Sequence, residues 1–165
     1  MLNKFLCAPH RQELTDKPEK AKAYCWKGLE TGQNLSAFGH KRDALAHFGC
    51  AFETAEIVMS SRVMPALDAI GIFNATSCAF IACLKELGYH EQSQAVLNMC
   101  IDRLFAESLA FPRLTPTIQT LVISLQDFSL RNRRSREQVR KEIGFDYDNL
   151  NYSFPVQSTA TKLLH

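Results

Sequence analysis

Apolar residues along this chain recur at spacings of three and four, the spacing that gathers them on one side of a helix. No stretch alternates with the period of two that a strand facing a core requires. Ala44, Phe48, Ala51, Phe52, Ala55 and Met59 form one such face and predict a helix over about 41–62. The next segment, about 65–87, is apolar on nearly every side, with Ile70, Ile72, Phe73, Cys78, Phe80, Ile81 and Leu84. That pattern belongs to a helix at the buried centre of a bundle or stack. Val96, Leu97, Cys100, Ile101, Leu104 and Phe105 mark another helix over about 90–109. Ile118, Leu121, Val122, Leu125 and Phe128 supply the stripe of one more.

Capping and helix-breaking residues set the boundaries. Thr15 or Asp16 can cap a first helix, Pro18 suits its first turn and Glu19 complements its positive end. This helix runs to about Phe38, with Gly28 and Gly32 as weak points and Gly39 as its stop. Pro65 suits the first turn of the apolar helix, and Gly88 closes it. Residues 111–116 hold two prolines and form a clear break, after which Thr115 can cap the next helix. Ser135 predicts the start of a short last helix that ends before Gly144. The chain therefore reads as an N-terminal arm (1–14), a helical domain (15–143) and a tail (144–165) carrying Phe145, Tyr147, Tyr152 and Phe154. The predicted fold class is all-α, with about five to six helices in antiparallel hairpins.

Two of the helix junctions repeat one another. Leu35, Gly39, Ala44, Phe48, Ala51 and Ala55 occur in order around the first. Leu84, Gly88, Ser93, Leu97, Cys100 and Leu104 occur around the second, each 49 residues later. The order has a physical sense. Glycine permits the left-handed turn, a small residue sits where helices approach, and a larger one fills the groove beyond it. This spacing resembles the tetratricopeptide repeat, whose second helix follows a turn glycine with small, large and small positions. Gly39, Ala44, Phe48 and Ala51 carry the match best; Ser93 and Cys100 stand where the family has alanine. The likeness covers roughly residues 25–107. The family repeats about every 34 residues and this chain has a period longer by about 15. Its tryptophan–leucine–glycine signature is out of register here, and its closing proline is missing.

The resemblance implies hairpins stacked as a right-handed superhelix, with a concave face built from the first helix of each hairpin. Such faces grip another protein or a peptide. Carried over by position, the face includes Trp26, Leu29 and Gln33, then Ala75, Cys78 and Ala82, with Lys85 as the nearest side chain of obvious contact chemistry. Trp26 reads equally as a contact anchor or as core. The family's lysine and asparagine clamp for a terminal carboxylate is not expected, because Leu29, Gln33, Cys78 and Ala82 occupy its positions.

Charge adds a second reading. The net charge is +2, but residues 42–130 carry five Lys or Arg against nine Asp or Glu, while both ends are basic. The densest basic cluster is Arg131, Arg133, Arg134 and Arg136, with Arg140 and Lys141 beyond. It offers phosphate contacts for nucleic acid, the alternative function, or cations that complement a helix end. The expected partner remains a protein or peptide, including a second copy of the chain, since few hairpins make a marginal stack.

The remaining chemistry narrows the function by what it lacks. Six cysteines fall mostly in apolar helical stretches, where a free thiol acts as a small hydrophobe. With no secretory pattern at the start, they predict reduced thiols and a cytoplasmic location. The longest uncharged run, residues 69–84, is short and rich in small polar residues, so no membrane span is expected. Cys7 and His10 have the spacing of half a zinc site, but no second pair follows, so no metal or cofactor is expected. Glu53 and Glu56 share a helix, and Asp68 and Asp102 stand near apolar stretches; in sequence they read as solvated acids. No glycine-rich phosphate loop is present. The sequence thus predicts a holding module and no enzyme.

Overall fold

In the computed structural model, which describes residues 4–143, every long apolar stripe of the sequence becomes a helix. The order is α1 (Ala8–Asp16), α2 (Pro18–Ala37), α3 (Lys41–Ser61), α4 (Ala66–Glu86), α5 (His90–Ala110), a 3-10 turn (Pro112–Leu114) and α6 (Thr115–Ile143). The fold is all-α, with no strand among the described residues. These residues divide within α5 into two compact units, 4–100 and 101–143.

In the first unit the two glycine junctions have the same geometry. Gly39 and Gly88 have φ of 83° and 85°, the left-handed conformation that ends a helix cheaply only for glycine. Four backbone bonds correspond between the two junctions. His40 N donates to Leu35 O at 2.9 Å, and Tyr89 N donates to Leu84 O at 2.8 Å. Phe38 to Asn34 is matched by Leu87 to Cys83, and Ala44 to His40 by Ser93 to Tyr89. The 49-residue repeat is therefore a repeat of turn hydrogen bonds as well as of residue sizes. α3 ends differently, on Arg62 in the left-handed region, and Pro65 is the residue before α4 rather than part of its first turn.

Gly28 and Gly32, read in the sequence as weak points of α2, have a packing role. A β-carbon at Gly28 would sit 3.3 Å from the β-carbon of Ala51, so its absence lets α3 lie close. A β-carbon at Gly32 would lie 2.6 Å from the Phe48 ring, which fills that notch. The second junction has Ser77 and Cys100 at the positions of Gly28 and Ala51. There the Ser77 hydroxyl donates to Phe73 O at 2.6 Å, and burial pushes the Cys100 thiol up to about 12.

The most enclosed helix is α3, although the sequence pattern favoured α4. α2 and α4 flank α3, and α1 packs on it as well. Its buried set includes His47, Glu53 and Thr54, polar residues that made it look one-sided in sequence. Thr54 is satisfied within the helix, its hydroxyl donating to Cys50 O at 2.7 Å. Burial lowers the pKa of His47, keeping it neutral. α4 carries an 18-residue window of mean hydropathy 1.7, long and apolar enough to cross a membrane, and 56% of that window is buried inside the protein.

Residues 5–16, most of the expected N-terminal arm, pack on the helices of the first unit. Residues 8–16 form α1, and Leu6 and Leu14 enter a core cluster with Ala21, Cys50, Ile57 and Val58. Asp16 therefore ends α1 instead of capping α2, and Lys17 alone joins the two helices.

In the second unit, Phe111 N bonds Glu107 O and Leu114 N bonds Phe111 O, closing the turn into α6. Ile118, Val122 and Leu125 are buried, whereas Ile123 and Leu130 are exposed. α6 is continuous through Ser135, so the short separate last helix expected there does not exist. Ser135 had the chemistry of a cap, but no glycine or proline interrupts the stretch before it. The side chains of Arg131, Arg133, Arg134, Arg136, Arg140 and Lys141 lie outside the described residues, as does the tail.

Candidate functional site

Two stripes of equivalent residues run along α2 and α4 of the first unit, and parts of both line one groove. On α2, Trp26, Gln33 and Ala37 follow spacings of seven and four, which is one side of a helix. On α4, Ala75, Ala79, Ala82 and Glu86 do the same. Trp26 corresponds to Ala75, Gln33 to Ala82 and Ala37 to Glu86 at the 49-residue offset. Between the stripes lies a groove of about 390 Å³. Its walls are Gln33, Ser36 and Ala37 from α2 and Ala79, Ala82, Cys83 and Glu86 from α4, and Phe48 of α3 forms its floor.

The floor is held because Phe48 sits in the Gly32 notch. One end is fixed by Lys41, which pairs with Glu86 at 2.8 Å and whose carbonyl accepts the Cys83 thiol at 3.4 Å. The groove is apolar at its base and carries an amide and a carboxylate at its rim. Its small walls leave room for side chains from outside. Among the described residues no group of three or more His, Cys, Asp or Glu is arranged to hold a metal ion.

The residues singled out in sequence are placed unevenly. Gln33 and Ala82 line the groove. Trp26 is 48% exposed, about 10 Å along the same stripe from Gln33 at helical rise. Leu29 is 5% exposed and Lys85 is 9% exposed, so neither presents a free side chain to a partner. Leu29 turns inward because it lies three residues from Trp26, toward the α3 side where Cys25 and Gly28 are also buried. Lys85 was chosen for its chemistry without regard to helical phase, and its phase carries it away from the Ala82–Glu86 stripe. Phe48 and Cys83 were missed as lining residues. The signal for Phe48 was the repeat itself, which places a large residue after each turn; Cys83 precedes the second turn and had no such signal.

A second structured site lies where the N-terminal segment meets α3 and α4. Phe5 N donates to Glu53 Oε1 at 2.8 Å, and Leu6 N donates to Glu53 Oε2 at 3.1 Å. Arg11 pairs with the same carboxylate at 2.5 Å. Thus Glu53, which looked like a solvated acid, is 8% exposed and holds two adjacent main-chain amides. Phe5 occupies a notch over Gly49, where any β-carbon would overlap the ring. Its ring stands edge-on to Phe80, with centroids 5.2 Å apart.

All six cysteines are free. Burial raises the thiols of Cys25, Cys50, Cys83 and Cys100 to about 12, so they are protonated near neutrality. Cys7 is exposed. Titration of the native protein with a chromogenic disulfide is therefore expected to show Cys7 reacting first. The four buried thiols follow only on unfolding; a burst of several equivalents from folded protein contradicts this packing.

No protein-family profile, curated protein or solved structure matches the chain.

Proposed function

We propose that this protein is an interaction module that holds a partner polypeptide in the groove between α2 and α4, as an adaptor or chaperone-like holder. The observation that carries the reading is one open groove lined by Gln33 and Ala37 of α2 and by their 49-residue equivalents Ala82 and Glu86 of α4. The likeness of the two junctions to tetratricopeptide turns supports it, since that family uses this face for partners. Ala79 and Ala82 leave space for apolar side chains, Gln33 offers an amide to a backbone, and exposed Trp26 extends the contact. The role is one of holding, without chemistry on the partner, among reduced thiols in the cytoplasm.

The test is quantitative capture from native extract with wild-type protein and with Ala82→Arg. The substituted side chain fills the groove while leaving the Gly32–Phe48 floor alone. Partner capture is expected to fall at least about tenfold, roughly 1.4 kcal/mol. An exposed substitution on α5, Glu91→Arg, should leave capture unchanged. Equal capture by wild type and Ala82→Arg rejects the groove, and recovery of nucleic acid that is lost steeply with salt would favour the arginine-rich end of α6 instead.

A further inference from the structure

We propose that residues 4–16 are an exchangeable docking element, able to seat on the α3–α4 face of a second copy of this chain as they do on their own. The proposal stands on the N-terminal site and is independent of the α2–α4 groove.

The seat recognises this particular segment. One carboxylate, Glu53, receives two consecutive amides from an extended backbone and a guanidinium six residues on from Phe5. The Gly49 notch admits a ring, and Phe80 meets it edge-on. Leu6 and Leu14 are both buried, so the segment brings two aliphatic anchors besides the ring. Phe5, Leu6, Arg11 and Leu14 at these intervals are a feature of the chain itself, which makes a second copy the matching occupant.

The tether permits the exchange. Lys17 is the only residue between α1 and α2, with φ −127° and ψ 72°. It precedes Pro18, and a residue before proline favours ψ of about 120–160°. Rotation of Lys17 toward that region swings α1 outward, keeps the bond from Lys17 N to Glu13 O within α1, and breaks the Lys20–Glu13 ion pair between α1 and α2. Pro18 prevents α1 and α2 from fusing into one regular helix when the segment is released. Every contact broken in one copy is remade in the other, so the open dimer and two closed monomers differ chiefly in effective concentration. A short tether sets that concentration near the millimolar range, which keeps the wild-type chain closed when dilute.

Complementary variants remove the competition within one chain. Phe5→Ala with Arg11→Ala leaves the seat intact and weakens the segment. Gly49→Ala with Glu53→Gln leaves the segment intact and blocks the seat, while alanine preserves helix α3. Each is mixed with the other and measured by native mass spectrometry, with circular dichroism to establish that both are helical. A one-to-one heterodimer is expected, enriched at least about tenfold over the dimer of either variant alone. Folded variants that remain monomeric on mixing overturn the proposal. Should either variant not fold, unlabelled and 15N-labelled wild-type chains are mixed near millimolar concentration instead. Mixed dimers that disappear when the protein carries Phe5→Ala support exchange; absence of mixed dimers refutes it.

Discussion

Replacing Phe80 with alanine is expected to lower the unfolding free energy by about 3–5 kcal/mol. The ring is 1% exposed and serves two partners at once, Phe5 at 5.2 Å and Phe52 at 5.5 Å between centroids. Its loss removes both aromatic contacts. It also enlarges a small existing pocket of about 160 Å³ that Phe5, Phe52, Glu53, Glu56 and Met99 line with it. The surroundings are α3 and α4 backbones fixed by their own hydrogen bonds, so collapse recovers little of the lost contact. Urea unfolding followed by far-ultraviolet circular dichroism reads the change as a lower midpoint with an unchanged slope. Leu67→Ala on the same helix serves as the control, because Leu67 is exposed and its loss should cost less than about 1 kcal/mol. A Phe80→Ala midpoint close to wild type would mean that the Phe5–Phe80–Phe52 packing is not formed in solution.

Glu53→Ala is the second large effect, a loss of about 2–4 kcal/mol. The part-buried amide of Phe5 and the buried amide of Leu6 lose their acceptor, and each such loss costs about 1–3 kcal/mol unless water replaces it. The Arg11 share is discounted, since its side chain is 34% exposed and keeps its hydration. Glu53→Gln should fall between wild type and alanine. Glutamine retains one acceptor oxygen but turns an amide donor toward the other N–H. Hydrogen exchange gives the local signature: the Phe5 and Leu6 amides lose protection in Glu53→Ala, while α4 amides distant from the seat retain theirs. If those two amides exchange alike in both proteins, Glu53 is not their acceptor and the docked segment is wrong.

These two residues also show where sequence reading succeeds and where it fails. Phe80 was legible as core because helical phase and chemistry agree along α4. The same agreement placed α2 through α5 closely, and Gly39 and Gly88 marked their turns because only glycine takes the left-handed conformation without cost. Glu53 was illegible for a different reason. A carboxylate in an apolar helix face reads as solvated unless its donors are known, and here they lie 47 and 48 residues away on the backbone. Main-chain donors leave no trace in residue identity. The same blind spot hid the docking of residues 4–16 and shifted the expected centre of the core from α3 to α4. Gly28 and Gly32 were misread because a glycine within a helix shows its propensity cost in sequence, while the neighbour that needs the missing β-carbon, Ala51 or Phe48, belongs to the next helix. Of the groove, Gln33 and Ala82 were legible through the repeat. Leu29 and Lys85 were not, since position in a motif outweighed the phase of the helix carrying them.

The placement of the N-terminal segment has a consequence for the order of events during synthesis. Residues 4–16 leave the ribosome before the helices that seat them, and their seat needs Glu53 on α3 and Phe80 on α4. Helical hairpins form from local contacts and close early, whereas a contact spanning many residues waits for the chain between its ends. At about 5–20 residues per second, the stretch from Phe5 to Phe80 takes several seconds or more to emerge. Throughout that interval Phe5 and Leu6 have no Phe80 to close over them. A segment made before its seat is placed after it, and its amides reach Glu53 only once the helices of the seat have assembled.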